Sequence, residues 1–157
     1  LSGISNILAV FNSNFYGGIL DGNFEREFYK YVENGGTLTK DFLYDLCAKN
    51  LLKFYPVEIE SEYQKGSWIS ISHFYMFYYL FSYSICVSVA SYVSKEILSG
   101  NKEMLDKYIS FLKTGSDYSV SDIYKVLGVD LENKNIYLDA IDNFSSLIDK
   151  FDEIYNK

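Results

Sequence analysis

The sequence predicts an all-α protein, a bundle of about seven helices joined by short turns that are marked by glycine. Apolar residues recur at spacings of three and four along most of the chain, which is the period of half-buried helices. The 157 residues include a single proline, so the helices are almost uninterrupted. A chain of this length fits one domain with a real core, and its 18% content of aromatic residues predicts a core of large rings.

The first element is a helix over residues 1–15, and we expect Gly17 and Gly18 to interrupt it. A second helix is expected over residues 23–34, with Glu25 among the charged side chains on its solvent face. A pair of glycines follows it, which is typical of a left-handed helix end.

The remaining helices are each bounded by a capping residue or a glycine. Thr37 or Thr39 caps a third helix, which ends before Pro56. A stripe of small residues (Ser84, Ser88 and Ser91) predicts that the helix after His73 packs closely on another helix. The later helices have these approximate ranges: 73–99, 101–113, 119–127 and 135–155. Gly100 is expected to end the first of them, and Ser119 or Ser121 to cap the third.

Charge and cysteine content exclude several classes of protein. The formal net charge of −7 disfavours binding to nucleic acid or to anionic lipid, and the sequence has no cluster of Lys or Arg that could override it locally. Cys47 and Cys86 fall in apolar helical segments without neighbouring metal ligands, which predicts two buried free thiols in a reducing, cytoplasmic compartment. The chain begins with Leu1 inside a helical pattern and without a basic signal-peptide region, so we expect it to be a piece of a longer protein.

The stretch 67–94 is the most unusual in the sequence. It contains the only tryptophan and the only histidine, and no charged residue lies between Lys65 and Lys95. A membrane span, a buried core helix and one wall of an active site are the three interpretations. Serine and tyrosine hydroxyls occur all along the stretch rather than at two interfacial belts, which argues against a span and predicts no membrane partner.

His73 begins the helix expected in this stretch, at a position where functional side chains are often presented. Tyr75, Tyr79 and Tyr83 follow at intervals of four, so we expect them on one helical face. An imidazole beside phenols is a suitable hydrogen-bonding set for an oxyanion or a peptide carbonyl. The alternative is that these rings fill the core.

Standard catalytic motifs are not found in the sequence: it has no P-loop, GxGxxG, GxSxG, CxxC or HExxH. A zinc site needs three or four ligands, and one histidine without HExxH does not supply them. We therefore expect no metal ligand in this chain.

Three segments in order carry a resemblance to a known family. The run HFYMFYYLFSYSICVSVASYVSKEIL (73–98) resembles the C-terminal region of oligoendopeptidase F, in the M3 family of zinc metallopeptidases. FLKTGSDYSVSDIYKVLGVDL (111–131) is similar to the next family segment, and GNFEREFYKYVENGGTLTKDFLYDL (22–46) is similar to a helix pair before the histidine.

The resemblance implies the C-terminal part of a helical peptidase domain that cleaves short peptides, with the zinc-binding portion upstream of Leu1. In the family, the histidines of HExxH and a later glutamate hold the zinc, and the Glu of HExxH is the general base. By the same resemblance, His73, Tyr79 and Tyr83 would be catalytic as oxyanion-binding groups, and Tyr75 with His73 would bind substrate. Zinc would belong to the full-length enzyme and not to this chain alone, which would be inactive.

The sequence departs from the family pattern at three positions. Phe81 stands where tyrosine is common, and Ser84 and Cys86 replace smaller residues. These departures keep a second interpretation open, a non-catalytic helical module that binds a peptide or protein. A piece of a larger helical channel also exposes apolar surface, so we expect self-association of the chain.

Overall fold

A computed structural model describes residues 1–56, 58–115 and 118–156. Within these ranges the regular elements are all helical and no strand is present, which confirms the all-α prediction. No described helix is both long and apolar enough to cross a membrane. The helices are α1 (Ser2–Val10), α2 (Gly17–Glu33), α3 (Lys40–Phe54), α4 (Glu62–Lys65), α5 (Ser82–Leu98), α6 (Lys102–Lys113), α7 (Val120–Val126) and α8 (Asn135–Tyr155).

The first two helices form one uninterrupted helical run, because the π-helical segment Phe11–Tyr16 connects α1 to α2. The prediction that Gly17 and Gly18 interrupt the helix is therefore wrong. A Cβ atom at Gly18 would lie 2.5 Å from Ser84 Oγ and 3.2 Å from the carbonyl oxygen of Leu80. Glycine at this position does not mark a turn. It allows another segment of the chain to approach α2 closely.

Local capping signals were predicted more accurately. Of the two candidate caps of α3, Thr39 is the one used, and its Oγ1 accepts a hydrogen bond from the Phe42 N–H at 3.2 Å. Ser119 caps α7 by accepting from the Asp122 N–H at 3.2 Å. Gly100 has a φ of 91°, a left-handed conformation that ends α5 at low cost only for glycine.

The fold divides into two compact units: the terminal unit contains Leu1–Phe11 and Ile85–Lys157, and the central unit contains Asn12–Ser84. In the terminal unit α1 packs against α8 and α6 against α7. Phe11 stacks on Phe144 with ring centroids 4.5 Å apart. The buried apolar core of this unit consists of Val89, Val93, Met104, Leu127, Val129 and Ile136.

In the central unit α2 packs against α3. Phe24 is buried at the centre of an aromatic cluster, with ring centroids 5.4 Å from both Phe28 and Phe74 and 5.8 Å from Trp68. Edge-to-face and tilted pairs of this kind add to the energy of apolar burial. This cluster gives the central unit a core of its own.

The two cysteines differ in environment. Cys47 is buried, as predicted, whereas Cys86 is exposed, so the prediction of two buried thiols is wrong for Cys86. The face of α5 that carries Cys86 lines an open cavity of about 560 Å³ in the terminal unit, together with Phe111 and Tyr124. The apolar residues around Cys86 therefore border a groove rather than a closed core.

Candidate functional site

The segment before α5 is a series of turns. Ser67–Ser70 and Ser72–Tyr75 are short 3₁₀ turns, and α5 begins only at Ser82. The expected helix from His73 onward is therefore wrong over its first part. Tyr78 interrupts it, because its φ of 51° lies in the left-handed region that an α-helix cannot contain.

These turns bring three of the predicted site residues together. The His73 imidazole stacks on the Tyr79 ring with centroids 5.0 Å apart and an interplanar angle of 27°. Tyr83 lies 5.7 Å from His73 and meets Tyr79 edge to face at 5.6 Å. His73 and Tyr83 are half-buried and Tyr79 is 41% exposed, so a molecule in solution can reach this cluster.

Among the described residues, Tyr75 makes no ring contact with this group. The expectation of one helical face for the three tyrosines is wrong, since Tyr75 is in a 3₁₀ turn, Tyr79 is in an irregular turn and only Tyr83 is helical. Tyr75 is 81% exposed and borders a cavity of about 110 Å³ lined also by Phe28, Leu38 and Trp68.

The chemistry that the cluster offers is hydrogen bonding. Phenol and imidazole groups donate to developing negative charge on oxygen, and their value rises where water is partly excluded. Across the described ranges, no group of three or more His, Cys, Asp or Glu side chains is placed to hold a metal ion. The described residues therefore do not fit a zinc site.

A buried carboxylate supports the turn that carries Tyr79. Glu25 of α2 is 0% exposed, and its Oε1 accepts a hydrogen bond from the Tyr78 N–H at 2.8 Å. The prediction that Glu25 lies on the solvent face is wrong, because the segment 77–84 covers this side of α2. Burial raises the pKa of the Tyr29 phenol, and the neighbouring Glu25 carboxylate raises it further.

Two glycines lie on the same face of α2. A Cβ at Gly22 would come within 3.0 Å of the Phe81 Cβ, and Gly18 meets Leu80 and Ser84. Gly18, Gly22, Glu25 and Tyr29 follow the helical spacing i, i+4, i+7 and i+11. Sequence reasoning missed this face because glycine carries no hydrophobic signal, although the spacing itself was available.

Comparison with known proteins places the chain in a family. Residues 9–143 match the model of peptidase family M3. The chain is 35% identical over 119 residues to the group B oligopeptidase PepB of Streptococcus agalactiae serotype III (strain NEM316), covering 74% of this chain and 20% of that protein. It is 27% identical over 155 residues to the oligopeptidase PepF of Bacillus subtilis (strain 168), covering 98% of this chain and 23% of that protein.

The fold is similar to a solved structure. The crystal structure of oligoendopeptidase-F from Enterococcus faecium superposes with a TM-score of 0.88 at 28% identity, over 98% of this chain and 30% of that chain. The chain belongs to peptidase family M3. It spans 20% and 23% of the two relatives named above.

Proposed function

We propose that this chain is part of a zinc-dependent oligoendopeptidase that hydrolyses peptide bonds in short peptides. Membership of peptidase family M3 supports the reaction class, and the two relatives described above are oligopeptidases. In this proposal the zinc ligands belong to the remainder of the protein, as the resemblance to the M3 peptidases implies. Zinc bound there would supply the Lewis acid and the activated water.

The contribution of this chain is a wall of hydrogen-bond donors. The mutual contacts of His73, Tyr79 and Tyr83 carry this proposal, since three polar rings from a 3₁₀ turn, an irregular turn and the start of α5 meet on an accessible surface. Tyr79 is the first candidate for stabilising the tetrahedral oxyanion, and Tyr83 is the second. His73 binds the substrate backbone, and the exposed Tyr75 ring contacts the substrate outside the cluster.

The test uses the whole protein that contains this chain, with its zinc content measured. His73→Ala and Tyr79→Phe each remove a donor from the cluster, and we expect kcat to fall about ten- to a thousandfold, as for loss of an oxyanion donor. A quenched fluorescent peptide reports turnover.

Tyr63→Phe is the matched control, because Tyr63 is an exposed tyrosine of α4 outside the cluster. We expect it to keep the wild-type kcat. Folded, zinc-loaded His73→Ala and Tyr79→Phe variants with unchanged turnover contradict the proposal and favour a module that only binds peptides.

A further inference from the structure

The turn formed by residues 77–81 packs against one face of α2, and Tyr79 is the exception within it. The Tyr29 ring contacts Phe77 and Tyr78 with centroids 5.0 and 5.1 Å apart, and Glu25 accepts from the Tyr78 N–H. Tyr79 instead stacks on His73. The α2 face thus holds the backbone on the N-terminal side of Tyr79.

The same face holds the backbone on the other side of Tyr79. The Leu80 carbonyl lies against Gly18, and Phe81 lies against Gly22, at distances that leave no room for a larger residue on α2 without displacement. Both neighbours of Tyr79 are therefore held against α2. A shift of this turn by one residue would break those contacts and move Tyr79 away from His73.

Glu25 is an unusual residue to find at this contact. A buried carboxylate is costly unless its hydrogen bonds compensate for lost water, and Glu25 accepts one from the Tyr78 N–H and lies beside the Tyr29 phenol. Its bond to Tyr78 spans 53 residues of sequence and holds a non-glycine residue in the left-handed region. A buried carboxylate that holds a left-handed residue indicates that the protein requires this turn geometry.

We infer that Glu25, with Gly22, is a positioning residue that fixes the turn 77–81 and so places Tyr79 against His73. It acts through Tyr78 and contacts no reacting atom. The effect of Glu25 on kcat rests on the proposed function, whereas its effect on the position of Tyr79 does not.

The geometric test observes His73 by NMR in the whole protein, with its imidazole signal assigned by disappearance in His73→Ala. The stacked Tyr79 ring shifts that signal, and Tyr79→Leu gives the value without the ring. We expect Glu25→Ala to move the signal toward the Tyr79→Leu value. Glu25→Gln, which keeps an acceptor for the Tyr78 N–H, stays near the wild-type value.

Glu27→Ala is the matched control, because Glu27 lies on the same helix and, within the described ranges, pairs with the exposed Arg26 and Lys30. Should Glu25→Ala fail to fold, Gly22→Ala tests the same contact, with Gly17→Ala as its control. A Cβ at Gly17 meets only the Asn12 carbonyl oxygen at 3.8 Å, an ordinary contact.

The kinetic test separates the positioning role from general stability. We expect Glu25→Ala to lower kcat about tenfold with KM within about twofold, and Glu25→Gln to restore most of kcat. A wild-type His73 signal in folded Glu25→Ala and Gly22→Ala overturns the inference. A displaced signal with unchanged kcat supports the positioning role and overturns the proposed oxyanion function instead.

Discussion

Asp21 is a residue whose surroundings alter its protonation. It borders a cavity of about 20 Å³ in the central unit, together with Cys47, Asn50 and Trp68. Burial raises the pKa of its carboxyl from 3.8 to about 6, since low polarity disfavours the charged form. Asp21 is not in the ring cluster, so its titration is expected to affect stability.

The sign of that effect follows from proton linkage. Between pH about 4 and about 6 the folded state holds the Asp21 proton that the unfolded state has released, so stability falls as the pH rises. Asp21→Asn removes the ionisation and keeps the shape. We expect the Tm of Asp21→Asn to exceed that of the wild type above pH about 6 and the difference to shrink toward pH about 4.

Thermal unfolding followed by circular dichroism over this pH range measures the difference. Asp45→Asn, at an exposed position of α3, is the control for the loss of a carboxyl group elsewhere on the chain. A constant Tm difference between Asp21→Asn and the wild type at every pH would contradict the assignment of the pH dependence to Asp21.

At the scale of the element, the two sides of α2 differ because one faces solvent and the other is covered by another segment of the chain. Its exposed side carries ordinary surface ion pairs such as that of Arg26 with Glu27, at 3.1 Å, which contribute little to stability. Its covered side carries small residues, and Ser84 of α5 donates from Oγ to the Phe15 carbonyl at 2.8 Å next to Gly18. The close approach of α2 and the start of α5 therefore depends on Gly18.

Gly18→Ala tests this contact. Alanine favours the helix but places Cβ against the Leu80 and Ser84 backbone, so we expect a net loss of about 1–3 kcal/mol in the free energy of unfolding. Urea denaturation measures it. Gly3→Ala, where a Cβ meets no atom of the described residues within 4 Å, should be neutral or stabilising. Equal stabilisation by both substitutions would show that α2 has room at Gly18.

At the scale of the whole molecule, exposed apolar surface is the main feature. In the terminal unit Ile7, Val10 and Leu98 are exposed and border a cavity of about 650 Å³. Apolar side chains that are exposed together at one cavity offer a surface that a partner can cover. In the family to which this chain belongs, the relatives named above are several times longer.

We therefore retain the prediction that the 157-residue chain self-associates when it is produced alone. Burial of apolar surface drives the association, so the weight-average mass should rise with concentration in sedimentation velocity. Leu98→Gln should weaken the rise, whereas Leu112→Gln, at an exposed leucine of α6 outside that cavity, should not. A single monomeric species at all concentrations would contradict the prediction.

Much of the fold was predictable because helices are specified locally. The stops and caps at Thr39, Gly100 and Ser119 depend on residues within one turn, and the sequence shows those residues directly. For the candidate site, the types of residue were predictable, but their arrangement was not. Tyr79 and Tyr83 meet His73 through a turn rather than along a helix.

By itself, the sequence determined the all-α class, most helix ends and the resemblance to the M3 peptidases. Only the tertiary structure decided that Gly18 packs rather than breaks a helix, that Glu25 is buried and that α5 begins only after the left-handed Tyr78. The physical reason is the distance along the sequence between the residues that interact. Helical hydrogen bonds join residues four apart, whereas the bond from the Tyr78 N–H to Glu25 joins residues 53 apart, and no local pattern encodes it.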